Sequence, residues 1–155
     1  MSKMFKIIAG ALGLIGLFMM FLPQVVIKWN SFPQEYVGIQ ALVGGSTKYA
    51  VDIHPVYSGL AGYILLGVGG LLLLLCALLR FFQEHDVVNY IVTGAAIVCL
   101  IVGIIMIFLI RKTYMENNGE LSATYIVGVG AIIGGSLGGL SIAAGGLGLI
   151  LDFAQ

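Results

Sequence analysis

The sequence predicts an all-α integral membrane protein: a bundle of four transmembrane helices with a small extramembrane β-hairpin or sheet between the first and second. Three observations predict it. Of 155 residues, 60% are hydrophobic and 9% charged, with a mean hydropathy of +1.10, whereas a soluble domain carries about 25% charge. So few charges cannot clothe a water-facing surface, and lipid is the expected solvent. Four segments each supply the roughly 20 mainly apolar residues that a helix needs to cross the hydrocarbon core. The one long segment between such runs is rich in β-branched and aromatic residues. A chain of this length is expected to form a single domain, here residues 1–155.

The first span, residues 4–22 (MFKIIAGALGLIGLFMMFL), stops at Pro23. Lys3 and Lys6 ahead of it mimic a secretory leader. The apolar run is long, however, and no small-x-small cleavage site follows, so an uncleaved helix is expected. In the loop 24–55, QVVIKW (24–29), YVGIQALV (36–43) and KYAVDIH (48–54) are strand-like. GGST at 44–47 has the length and chemistry of a hairpin loop, and Pro33 and Pro55 punctuate the ends. The second and third spans, 56–82 and 87–110, are separated only by QEHD, which makes them an antiparallel helical hairpin. The polar segment RKTYMENNGELSA then carries a turn signal at Asn117-Asn118-Gly119. The fourth span, 123–151, ends at Asp152.

An even number of spans places both termini on one side of the membrane. Two lysines and no acid precede the first helix, which usually dominates orientation, so a multi-pass cell-membrane protein with cytoplasmic termini is expected. The basic residues run the other way: Lys3, Lys6 and Arg80 on the terminal side, against Lys28, Lys48, Arg111 and Lys112 opposite.

The stretch GVGAIIGGSLGGLSIAAGGLG (128–148) invites comparison with a phosphate loop, but it has neither GxxxxGK[ST] nor GxGxxG spacing in a strand–helix context, and no basic residue. Helical spacing fits instead. Gly130, Gly134 and Gly138 form one ridge; Ala131, Gly135, Gly139 and Ala143 form the next. Lipid gives no apolar drive between helices, so association relies on close approach of backbones across small residues. Gly130, Gly134, Gly135, Gly138 and Gly139 are therefore the expected helix-packing residues. Gly10, Gly13 and Gly16 in the first span, and Ser58 to Gly62 in the second, match them. The packing partner is this chain, a further copy in a homo-oligomer, or another membrane protein.

The missing chemistry bounds function. Charge inside a membrane is costly and marks function, and the middle of all four spans holds no Asp, Glu, Lys, Arg or His. A rotary proton-translocating proteolipid or an ion-coupled transporter would need such a group. Cys76 and Cys99 lie in apolar runs without a CxxC, and His54 and His85 lie in loops, where they cannot bracket a haem. Asp52 and His54, two apart on a strand-like run, share one face with each other, and with Glu35 they offer weak metal-ligand chemistry; solvated loop polarity is the favoured reading. Ser136 and Ser141 have no activating base and are expected to bond the preceding helical turn. Trp29 and the tyrosines, mostly near span ends, fit interfacial anchors. Zero net charge gives no reason to expect nucleic acid. No enzyme activity, cofactor, metal or nucleotide is expected.

The order helix, β-rich loop with an early tryptophan, helical hairpin, shorter loop, helix resembles that of the claudin and peripheral-myelin-protein group of tetraspan proteins. Trp29 and Gly38-Ile39 stand near where that group's W…GLW signature falls; a second Trp and loop cysteines do not occur here. The step Phe21-Leu22-Pro23 before a strand-like loop also resembles small bacterial four-span proteins. These resemblances imply adhesion, barrier formation or service as a membrane subunit. The expectation is thus a non-catalytic structural or interaction module, or an accessory subunit, with Trp29, Tyr36, Tyr49, Asp52 and His54 facing a partner. The alternative is a passive channel or a carrier of small apolar ligands or lipid, formed by an oligomer.

Overall fold

A computed structural model describes residues 1–30, 33–46, 52–119 and 123–154 of the chain. Helix α1 (Ser2–Phe18) runs on through a single 3-10 turn (Met19–Phe21). Strands β1 (Val25–Trp29) and β2 (Glu35–Val37) follow, then a one-turn helix α2 (Gln40–Val43). β3 (Gly45–Ser46) and β4 (Asp52–Ile53) form a minimal antiparallel pair. Helix α3 (Tyr57–Leu78), the short α4 (Arg80–Glu84) and α5 (Asp86–Phe108) come next. Then come α6 (Ile110–Asn118), β5 (Ala123–Val127) and α7 (Val129–Phe153).

Four of these helices, α1 with its 3-10 extension, α3, α5 and α7, are long and apolar enough to cross a membrane. They pack in a ring in which α1 touches α3 and α7, and α5 touches α3 and α7, while the diagonal pairs meet little. Tyr63, Leu66, Leu73, Leu100 and Ile107 fill the interior without solvent exposure. The outward faces are apolar as well: Ile15, Phe18, Ile64, Leu71, Ile91, Val98, Ile105, Ile132, Leu140 and Ile150 are all exposed. Helices that are apolar all round are compatible with spanning a membrane.

Glycine sets the distances within the ring. A Cβ on Gly13 would lie 2.8 Å from the Gly70 Cα, and one on Gly70 would lie 2.8 Å from the Gly10 carbonyl oxygen, so α1 and α3 touch backbone to backbone. Gly62 and Gly103 repeat this reciprocally between α3 and α5, each hypothetical Cβ lying 2.9 or 2.8 Å from the other's carbonyl oxygen.

Several elements differ from the sequence expectation, each for a physical reason. The second span ends at Leu78 rather than at residue 82: Leu79 is extended (φ −83°, ψ 128°), and the connection to α5 is built on α4. The segment expected as a polar loop with a turn at 117–119 is mostly helix α6, which ends at Gly119. YVGIQALV is strand only at its start and helix from Gln40, where Gly44 stops the turn at φ 86°, a conformation that suits glycine. Of the expected hairpin, the described residues form the pairs Gly45↔Ile53 and Ser46↔Asp52, so Gly45 and Ser46, expected in the turn, are strand, and residues 47–51 lie outside the described residues. The fourth helix starts at Val129, because residues 123–127 are strand β5.

That strand changes the sheet. Its order is β2-β1-β5, antiparallel throughout, so one strand comes from residues expected to open the fourth span rather than all from the first loop. Val25↔Val127 through Trp29↔Ala123 pair along the whole of β1. Val25, Ile27, Val37 and Tyr125 point inward and are buried, as the alternation of a half-buried sheet requires.

Candidate functional site

The outer face of the sheet is the candidate site. Between the inward residues, Val26, Lys28, Tyr36, Thr124 and Ile126 occupy the opposite face. Val26 pairs with Tyr36 on one side and with Ile126 on the other, so these three form a continuous row across the sheet. Tyr36 is 62% exposed and Ile126 39%. Lys28↔Thr124, both exposed, form the adjacent polar row. Opposite residues in an antiparallel pair are near enough to act as one surface.

The expected contact residues separate on this frame. Tyr36 lies in the exposed row. Trp29 is on the inward register and packs half-buried against the core; its indole N–H is buried with no hydrogen-bond partner among the described residues. Asp52 and His54 are exposed at the edge of the cap, on and just after β4. Glu35, grouped with them in sequence, is buried on β2. Tyr49 lies outside the described residues. Among the described residues no three His, Cys, Asp or Glu side chains are gathered for a metal. Ile126, the other end of the apolar row, is not marked by sequence patterning, because residues 123–127 merge with the apolar helix that follows them.

The frame below the face is fastened at one junction. Gln24 is fully buried, and its Nε2 donates to the carbonyls of Met19 (2.9 Å) and Leu22 (2.8 Å). Its Oε1 accepts from the Tyr63 hydroxyl at 2.7 Å; that hydroxyl also lies 3.0 Å from the Gly130 carbonyl oxygen. Its main-chain N–H donates to Val37 O and its carbonyl accepts from Gly128 N–H, both at 2.7 Å. Gly130 N–H donates to Pro23 O at 2.8 Å. The two crossings from bundle to sheet, 23–24 and 128–130, are thus stitched to each other. A Cβ at Gly128 would run into the Pro23 carbonyl, so the second crossing requires glycine. Tyr63, expected as an interfacial anchor, is instead the buried donor at the centre of this junction.

On the outer flank, Arg111 Nε of α6 donates to Tyr125 O at 2.8 Å, and the Tyr125 hydroxyl donates to Asn118 O at 3.0 Å. The Asn118 side chain bonds both main-chain groups of His54: it accepts from N–H at 2.6 Å and donates to the carbonyl at 2.9 Å. Helix α6 thereby braces β5 and the end of the first loop together.

The packing glycines behave in two ways. Gly134, Gly135 and Gly138 receive side chains: their hypothetical Cβ atoms meet Tyr63 (2.9 Å), Phe108 (2.5 Å) and Ile104 (2.7 Å). Gly130 meets the Met19 carbonyl at 2.8 Å and the Gln24 side chain. Gly139 is exposed with open space where a Cβ would stand, so it lies off the packed face within this chain. The second ridge therefore packs only through Ala131 and Gly135. Ser136 bonds its own helix at Ile132 O (2.8 Å) as expected, but Ser141 crosses to Ala9 O on α1 at 2.6 Å.

At the opposite end of the bundle the two chain ends meet in a polar cluster that sequence patterning does not reveal. Lys6 is 2% exposed and forms an ion pair with Asp152; it also donates to Asn89 Oδ1 at 2.9 Å. Ser2 donates to the other Asp152 carboxylate oxygen, and Asn89 Nδ2 lies 3.3 Å from the one bound by Lys6. The Tyr90 hydroxyl donates to Asp152 O at 3.1 Å, and its ring stacks on Phe153 at 4.4 Å. The outermost turns of α1, α5 and α7 are joined here. No family model, curated protein or solved structure matches this chain.

Proposed function

We propose that this chain is a multi-pass integral membrane protein of the cell membrane with cytoplasmic termini. In this reading it acts without catalysis, as a structural or interaction module or an accessory subunit of a membrane complex. The membrane assignment is supported by four long helices that are apolar on their outward as well as their inward faces. In water such a belt would be a large aggregation-prone patch; in lipid it is an ordinary surface.

The interaction reading rests on one observation: the exposed row Tyr36–Val26–Ile126 lies on a sheet braced from both polar loops and from α6. Aromatic and apolar side chains on a rigid platform suit a protein partner, because little ordering is left for binding to impose. The partner is another membrane protein or a further copy of this chain.

Two measurements test it. In washed membranes at alkaline pH the chain is expected to remain in the pellet; release into the supernatant would remove the membrane assignment. A photoreactive phenylalanine analogue at Tyr36 or Ile126 is expected to cross-link one protein species, while the same group at Asp52 yields much less. Equal, diffuse labelling from all three positions would end the claim that the sheet face is the contact surface.

A further inference from the structure

We propose that the polar cavity at the terminal end of the bundle, with the apolar groove beside it, binds one phospholipid whose headgroup is zwitterionic and carries a primary ammonium, the phosphatidylethanolamine class. This rests on the membrane reading above. The cavity has a volume of about 340 Å³ and is lined among others by Ser2, Lys3, Lys6, Asp86, Asn89 and Asp152. That is at the lower end of ligand pockets, which span about 300–1,000 Å³. An apolar groove of about 300 Å³, lined by Met1, Met4, Phe5 and Ile8, shares Met1 with it. A polar cavity beside an apolar groove, the two sharing Met1 at the start of α1, suits a lipid: headgroup in the first, start of an acyl chain in the second.

Charge selects the headgroup. Lys6 has three N–H donors and two acceptors, Asp152 and Asn89, among the described residues. Lys3 and Asp86 are exposed and make no ion pair among the described residues. The lining therefore offers Lys3 and one Lys6 donor to a phosphate, and Asp86 to a cation. Lys6 already balances Asp152, so a purely anionic headgroup would pair with Lys3 and the free Lys6 donor but would leave Asp86 beside it without a cation. A quaternary ammonium cannot donate a hydrogen bond to Asp86 and favours aromatic cages, and the polar cavity has no aromatic lining among the described residues. A primary ammonium satisfies the carboxylate directly.

The test uses the full chain in detergent micelles with equimolar phosphatidylethanolamine, phosphatidylcholine and phosphatidylglycerol of identical acyl chains, read by native mass spectrometry. One phosphatidylethanolamine per chain is expected, retained about tenfold better than either competitor. Asp86→Asn should bring the ethanolamine-to-choline ratio close to one, and Lys3→Gln should weaken both. Both side chains are exposed and outside the Lys6–Asp152 network, so the thermal midpoints should match the parent. Equal retention of the three lipids, preference for phosphatidylglycerol, or a ratio insensitive to Asp86→Asn would overturn the proposal. Glycerophosphoethanolamine separates the two sources of this headgroup: failure to displace the lipid supports it, and displacement at equal concentration would overturn the lipid in favour of a free zwitterion. Release of the chain by alkaline washing would sink the membrane reading itself, whereas a membrane-retained chain without lipid preference sinks only this proposal.

Discussion

Gln24 shows how much of this fold depends on a single side chain. Pro23 ends the helical run before it, and the amide then bonds two carbonyls of the last turn, Met19 O and Leu22 O, as well as the Tyr63 hydroxyl. Replacing it by leucine keeps a side chain of similar size and removes all three bonds in a fully buried site. Gln24→Leu is expected to lower unfolding stability by about 3 kcal/mol, and Tyr63→Phe by about 1–2 kcal/mol. Denaturant titration in micelles measures both; a double-mutant cycle should show that the losses are not additive, since the residues share one bond. Additive losses would mean that the pair does not act together. The glycines split equally sharply. Gly13→Ala and Gly70→Ala push a methyl group against facing backbone and should each cost about 1–3 kcal/mol. Gly139→Ala and Gly146→Ala enter open space and should stabilise by about 0.5–1 kcal/mol through helix propensity. Stabilisation at all four positions would refute the close contact of α1 and α3. The sequence shows that these residues are small and helically spaced. It does not show which of them meet backbone, which meet Tyr63 or Ile104, and which face out.

At the scale of elements, the sheet and α6 brace one another. Strand β5 gives β1 a full-length partner, and Arg111 occupies a carbonyl on that strand, which limits its capacity to pair with another chain. Asn118 holds the His54 segment by two bonds. Asn118→Ala is expected to speed hydrogen exchange at the His54 amide by about fivefold while leaving Leu66 and Leu100 in the bundle unchanged. Unchanged exchange at His54 would show that α6 does not hold that loop. ATYIV is legible as β-branched and aromatic, but its apolar character merges into the helix behind it. The strand is decided by pairing with residues about a hundred positions earlier, which local periodicity does not carry. KTYMENN likewise reads as loop because it is polar; its amphipathic side is defined only once Tyr114 packs on Tyr125, ring centroids 5.7 Å apart.

For the whole molecule, the Lys6–Asp152 pair joins the first helix to the last. Asp152→Asn leaves a buried ammonium without its counter-charge and should cost about 3–5 kcal/mol, whereas the double replacement Lys6→Met with Asp152→Leu should come close to neutral. A double variant as unstable as the single one would assign the loss to packing rather than to charge. Detergent-resistant folding assays or thermal scans distinguish these outcomes. Composition and four apolar runs of about 20 residues or more determined that the chain has four long apolar helices, because these are properties of local hydropathy and chain length. The resemblance in element order to the claudin group likewise reads the succession of segments rather than contacts. Tertiary structure alone decided that Lys6 and Asp152 meet across 146 positions, and Lys6 and Asn89 across 83. It also decided that Tyr63 fastens the cap, that Trp29 turns inward, and that Tyr36 and Ile126 share one exposed row. The reason is physical: a hydropathy pattern fixes which face of an element avoids water, and only the packed neighbours fix what that face touches.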